Sequence, residues 1–193
     1  LPMYKNNLTL WAWTTAKFEN CGQCASLYAS ALSKKGDYQR AGYYALKSME
    51  AKPTGNALIT LAGSYIGTGQ YRIGSKLAMS ALELKLTEIE YILTLQMIAL
   101  GKICQAPPDL TEVDIVLGRV LSGNLSMPGP IIVMAYYQLL AGHPDAAKQY
   151  LLLARKNASY QKDIARVSTY LDDLNRHGKF NICPTAATPA VSQ

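Results

Sequence analysis

The 193-residue sequence is short of almost everything that catalysis usually draws on. It holds two histidines, His143 and His177, far apart and outside any partner motif. Lone histidines in a turn or past a helix end read as surface residues. No HExxH, GxSxG, Walker or dinucleotide-binding signature occurs. Gly67-Thr68-Gly69 reads as a turn rather than a phosphate cradle. Asp172 and Asp173 are adjacent, so on a helix they point apart and do not share a proton. Long apolar runs are also missing. The stretch from Ile131 to Leu140 falls far short of the roughly 20 residues a bilayer-crossing helix needs. The chain opens on Leu1-Pro2 without a basic segment ahead of an apolar one, so neither an initiator nor a signal peptide is visible. The expectation is a processed piece of a larger protein.

Charge is sparse too. Charged residues make up 17%, with a net charge of +6. The bases Lys34, Lys35, Arg40, Lys47, Lys52, Lys76, Lys85, Lys148, Arg155 and Lys156 are scattered. A solvated helical face is expected, not a nucleic-acid site. The surplus allows no more than a weak attraction to an anionic membrane surface or glycan. The triplets at Asn7, Asn124 and Asn157 that match a glycosylation acceptor arise by chance in a chain of this size.

Hydrophobic residues, at 49%, and a mean hydropathy of +0.01 describe a globular chain able to bury a core. Its organisation lies in a repeat. KKGDYQRA at 34–41 and GTGQYRIG at 67–74 share a glycine turn followed by tyrosine, with Gly36 and Gly69 33 residues apart. AGHPDAAK at 141–148 offers a third turn. Helical periodicity flanks each one. Ala25, Tyr28, Ala29 and Leu32 precede Gly36, and Ala41, Tyr44, Ala45 and Ser48 follow it. Leu58, Leu61, Ala62 and Tyr65 precede Gly69, and Gly74, Ala78 and Ala81 follow it. Around Gly142 stand Ile131, Met134, Ala135, Ala147, Leu151 and Ala154.

These positions resemble the tetratricopeptide repeat family. Residues 22–55 match its unit with Tyr28-Ala29, Gly36-Asp37-Tyr38, Ala41, Ala45 and Pro53. Residues 55–88 match with Leu61-Ala62, Gly69-Gln70-Tyr71, Gly74, Ala78 and Ala81, although Leu86 replaces the closing proline. Residues 128–160 match loosely, because Gln138 sits where a bulky apolar residue is usual. The resemblance implies an all-α fold, a right-handed solenoid of helix pairs with capping helices, over 1–183. A degenerate pair spans 88–123, with a long helix from Thr87 to Lys102 carrying Ile89, Ile92, Leu93, Leu95, Gln96 and Ala99. CQAPPD at 104–109 ends it, and Asp109 is expected to cap the next helix, through about Leu121. Ser122 to Pro130 reads as a loop, 160–176 as a capping helix and 184–193 as a disordered tail. A first helix over Leu8 to Phe18 is expected to seal the open end with Trp11, Trp13 and Phe18.

The resemblance further implies a protein- or peptide-binding concave face, not an active site, with no metal or cofactor. The first helix of each pair would line it, through Gln23, Ser30, Ser33 and Lys34 in one copy and Asn56, Thr60, Ser64 and Tyr65 in the next. The four cysteines, Cys21, Cys24, Cys104 and Cys183, accommodate two disulfides, buried free thiols, or a redox or metal role for the CxxC pair. Disulfides Cys21–Cys24 and Cys104–Cys183 are the expectation.

The opening also resembles the junction in polytopic membrane glycosyltransferases and O-antigen-ligase-like proteins, through Leu8-Thr9-Leu10-Trp11 and a helix leading into a first repeat. That resemblance implies the soluble tail of such a protein, on the periplasmic or other extracytoplasmic side of the membrane. Its partner would be an acceptor, another protein or its own membrane domain. The alternatives are a free-standing scaffold of an envelope assembly or secretion system, and a CxxC redox protein.

Overall fold

The computed structural model describes residues 6–111, 113–122 and 127–184. Ten helices follow one another there: α1 Asn7–Lys17, α2 Gly22–Lys34, α3 Tyr38–Ala51, α4 Gly55–Gly67, α5 Tyr71–Ala81, α6 Glu88–Cys104, α7 Val113–Ser122, α8 Pro128–Leu140, α9 Pro144–Asn157 and α10 Gln161–His177. The described residues include no strand.

The start of each helix has a local cause. Asn6, Asp37 and Thr54 accept backbone N–H bonds from the first turns of α1, α3 and α4. Thr87 and Glu90 close a reciprocal capping box on α6. Pro128 and Pro144 open α8 and α9, where a missing N–H costs nothing. Three helix ends are built alike. Gly36, Gly69 and Gly142 have φ of 81°, 81° and 84°. The next residue in each case sends its N–H back to the carbonyl of Leu32, Tyr65 or Gln138, at 3.1, 2.8 and 2.8 Å. Only a left-handed residue makes that closure, which is why glycine recurs there. After α6 the glycine is absent and Gln105 leaves in an extended conformation.

Packing follows chain order, with each helix lying against the next. The even-numbered helices α2, α4, α6 and α8 also touch one another in series. No comparable contact joins α3 to α5, α5 to α7 or α7 to α9 among the described residues. By this contact series α2, α4, α6 and α8 form one continuous face of the stack, its inner face in a repeat array. Small side chains set these distances. Ala29, Ala41, Ala45, Ala62, Ala78, Ala135, Ala147 and Ala154 are fully buried. A methyl on Gly74 would stand 2.6 Å from Ile66 Cγ1 and 2.7 Å from the Ala62 carbonyl. At the first pair, buried Tyr28 stacks on Tyr44 with centroids 4.6 Å apart, and its hydroxyl accepts from Arg40 Nη2 at 2.6 Å.

The chain does not stop at α10. Gly178 turns it, with φ 65°, and residues 179–184 run back over the array. Phe180 is buried between Tyr136 of α8 and Tyr170 of α10, with centroids 5.4 and 5.3 Å away. Ile182 packs on the cores of both α6–α8 and α8–α10. Cys183 is bonded to Cys104 at the end of α6, and the Tyr71 hydroxyl, at the start of α5, donates to the Pro184 carbonyl. This strap spans elements from α5 to α10. The second disulfide, Cys21–Cys24, sits at the start of α2.

Several expectations need correction. Asp109 does not cap α7, which begins at Val113. Its carboxylate instead accepts the Thr111 N–H and faces Lys102, closing a turn before the helix. Pro128, Gly129 and Pro130 belong to α8, not to a loop, because prolines suit a first turn. Trp11 packs on the first pair beside Tyr28 and Leu32, whereas Trp13 and Phe18 (51% exposed) face outward, under the Lys17 ammonium. Ile89 is 62% exposed, although Leu86 before it packs on α4, because Ile89 lies on the outward side of the first turn of α6. The tail expected at 184–193 lies outside the described residues, apart from Pro184.

Candidate interaction surface

The inner face is made by α2, α4, α6 and α8. Between α2, the end of α3 and the start of α4 lies a cleft of about 460 Å³, whose walls include Gln23, Ser26, Leu27, Lys52, Thr54 and Asn56. Asn56 Nδ2 donates to Ser26 Oγ at 2.8 Å and so ties α4 to α2 across the cleft floor. Gln23 is exposed beside it. Ser30 and Ser33 are half-buried further along α2, and Lys34 is exposed at its end.

The second set of expected residues separates. Thr60 and Ser64 are buried, Ser64 to 3% exposure, and the Ser64 hydroxyl donates to the Thr60 carbonyl at 2.8 Å. The cause is the position of α4, which touches α2, α3, α5 and α6 and has little free surface. Ser64 and half-buried Tyr65 instead reach the wall of a different cleft, of about 320 Å³, between α3 and α4. Tyr38, Tyr43 and Leu46 line it from α3, and Tyr43 is 61% exposed. The structure thus brings Gln23 and Asn56 together and puts Ser64 and Tyr65 elsewhere.

Beneath the strap, Tyr136, Leu139, Asp173, His177 and Phe180 line a larger cavity of about 650 Å³. Nothing in the repeat pattern signalled it, because the strap has no helical period. Burial pushes the hydroxyls of Tyr71, Tyr136 and Tyr170 above the usual tyrosine range, and the nearby Tyr71 adds to the effect on Tyr136. These groups stay neutral donors at neutral pH. The turn holding Asp109 does the opposite. Hydrogen bonds from Thr111, chiefly from its N–H, hold the carboxyl below the usual carboxylate range, and Lys102 adds to this.

Among the described residues, no three His, Cys, Asp or Glu side chains converge as metal ligands, and all four cysteines are in disulfides. No protein-family model matches the chain, and no curated protein matches its sequence.

Proposed function

We propose that the chain is a non-catalytic, protein- or peptide-binding domain of tetratricopeptide type. The observation that carries this reading is the series α2, α4, α6 and α8 set side by side, with a cleft at the starts of α2 and α4 and the end of α3 that mixes the Gln23 amide, the Thr54 hydroxyl and the Leu27 side chain. Such mixed clefts suit a peptide, whose backbone needs polar partners and whose side chains need apolar ones. The strap supports it from within the molecule. The array already holds one extended segment, through flanking aromatics, a tyrosine-to-carbonyl hydrogen bond and a buried isoleucine-packing surface.

Two disulfides favour an oxidising, extracytoplasmic compartment. With Leu8 and Trp11 of α1 packed on the first pair, we read the domain as the tail of a membrane glycosyltransferase-like protein. It would recruit an acceptor, a partner protein or its own membrane domain. A photo-crosslinking residue at Gln23, in cells expressing the full-length protein, tests the binding reading. A discrete adduct absent from the same probe at exposed Lys162 is expected. No adduct, or equal yield from both positions, overturns it. Hydrophobic helices encoded ahead of Leu1 would separate the membrane-tethered form from a free-standing scaffold.

A further inference from the structure

A separate cleft of about 330 Å³ opens between α5 and the far end of α6. Four charged side chains face it. Arg72 and Lys76 stand one turn apart on α5, Lys102 comes from the last turn of α6, and Asp109 comes from the loop beyond. Asp109 and Lys102 already serve each other. Asp109 Oδ1 accepts the Thr111 N–H at 3.0 Å, and Oδ2 lies 3.7 Å from Lys102 Nζ. Lys102 Nζ also donates to the Thr111 carbonyl at 3.2 Å.

Arg72 and Lys76 are different. Both are exposed, and neither has an ion pair or side-chain hydrogen bond among the described residues. Arg72 lies in the first turn of α5, where the helix dipole is itself positive, and Lys76 lies one turn further on. That first turn carries no acidic residue, and Gln70 makes no side-chain cap bond. Arg72 there opposes the dipole, and the two cations repel each other unless an anion joins them. The cleft also has a polar wall. Ser75 is 6% exposed, and its hydroxyl donates to the Ile98 carbonyl at 3.4 Å, the long limit of a hydrogen bond. That proton is available to a better acceptor.

We propose that this cleft binds a doubly charged oxyanion, a phosphate monoester group, held by Arg72, Lys76 and the Ser75 hydroxyl. The match is one of charge. Among the described residues that line it, three cations and one carboxylate leave a surplus of positive charge that suits such a group, in a space that also admits the carbon to which it is attached. The site stands apart from the inner face and does not depend on the peptide-binding reading.

Titration of the isotope-labelled oxidised protein with inorganic phosphate, at fixed pH and ionic strength, tests it by amide chemical shifts. Saturable shifts confined to 71–79 and 101–111 are expected. Arg72→Ala and Lys76→Ala, both at exposed positions, should each weaken binding roughly 5-fold, as for a partly exposed charge pair. Asp109→Asn should tighten it, because the amide still accepts the Thr111 N–H while the carboxylate's repulsion of an anion is removed. O-phosphoserine and sn-glycerol 3-phosphate then separate a protein from a lipid source, and at least one should bind no more weakly than phosphate. Shifts that fail to saturate or spread over the surface, indifference to both alanine variants, or rejection of both esters overturns the proposal.

Discussion

Single residues decide whether helices can approach, and here glycine is the sharpest case. Gly74 packs where a methyl would collide with Ile66 and the Ala62 carbonyl, whereas Gly118 on α7 has open space around its Cβ position. Gly74→Ala should therefore cost about 2 kcal/mol, the scale of an overpacked core. Gly118→Ala should stabilise by about 0.5–1 kcal/mol, as for alanine over glycine in an exposed helix. Urea denaturation of the two variants reads both signs in one experiment. At this scale the sequence was informative where period and burial coincide. Ala25, Tyr28, Ala29 and Leu32 show a 3.6-residue period, and all are buried. It was less informative where exposure depends on what else is near. Trp13, Phe18 and Ile89 are apolar, yet they are exposed. Thr60 and Ser64 are polar, yet α4 is surrounded on most sides. The same limit separated the expected inner-face residues into two clefts.

At the scale of elements the strap is the main addition, and no periodic cue announces it. Lys179 to Pro184 is in no helix or strand, so its burial is set by tyrosines distant in the chain. Phe180→Ala should cost about 3 kcal/mol, since a large side chain leaves a cavity between α8 and α10. The strap also implies a pH response. The unfolded tyrosines titrate near 10, and burial raises the folded values of Tyr71, Tyr136 and Tyr170. The folded state thus holds its phenolic protons more tightly. The stability from these groups is present below about pH 10 and is lost as pH rises through the folded values. Tyr136→Phe and Tyr170→Phe should flatten the alkaline fall in stability measured by denaturant midpoints. A slope unchanged in both variants would count against the strap as its origin.

Across the whole molecule, helix arrays of this kind gain stability mostly from neighbour to neighbour, so their two ends are weakly coupled. The strap departs from that pattern by joining α5 and α6 to α8 and α10. In the chain-entropy account, the Cys104–Cys183 bond alone stabilises by about 4.5 kcal/mol for its separation of 79 residues. Cys104→Ser with Cys183→Ser should therefore lower stability by several kcal/mol. It should also split one denaturation transition into two, with α1–α5 and α6–α10 melting apart when followed by hydrogen exchange. The solenoid class was legible because the glycine turn recurs with one geometry at Gly36, Gly69 and Gly142. The long-range bond Cys104–Cys183 was also expected and is present, whereas the packing of residues 179–184 over the array was not, because that segment has no helical period.

The same bond has a consequence for how the molecule breaks. Residues 104 to 183 form a covalent ring containing α7 to α10. A protease that cuts any one peptide bond inside the ring produces a nicked chain of unchanged backbone content, not two fragments. Only after reduction should the pieces separate on a gel, so limited digestion run with and without reductant would map the ring directly.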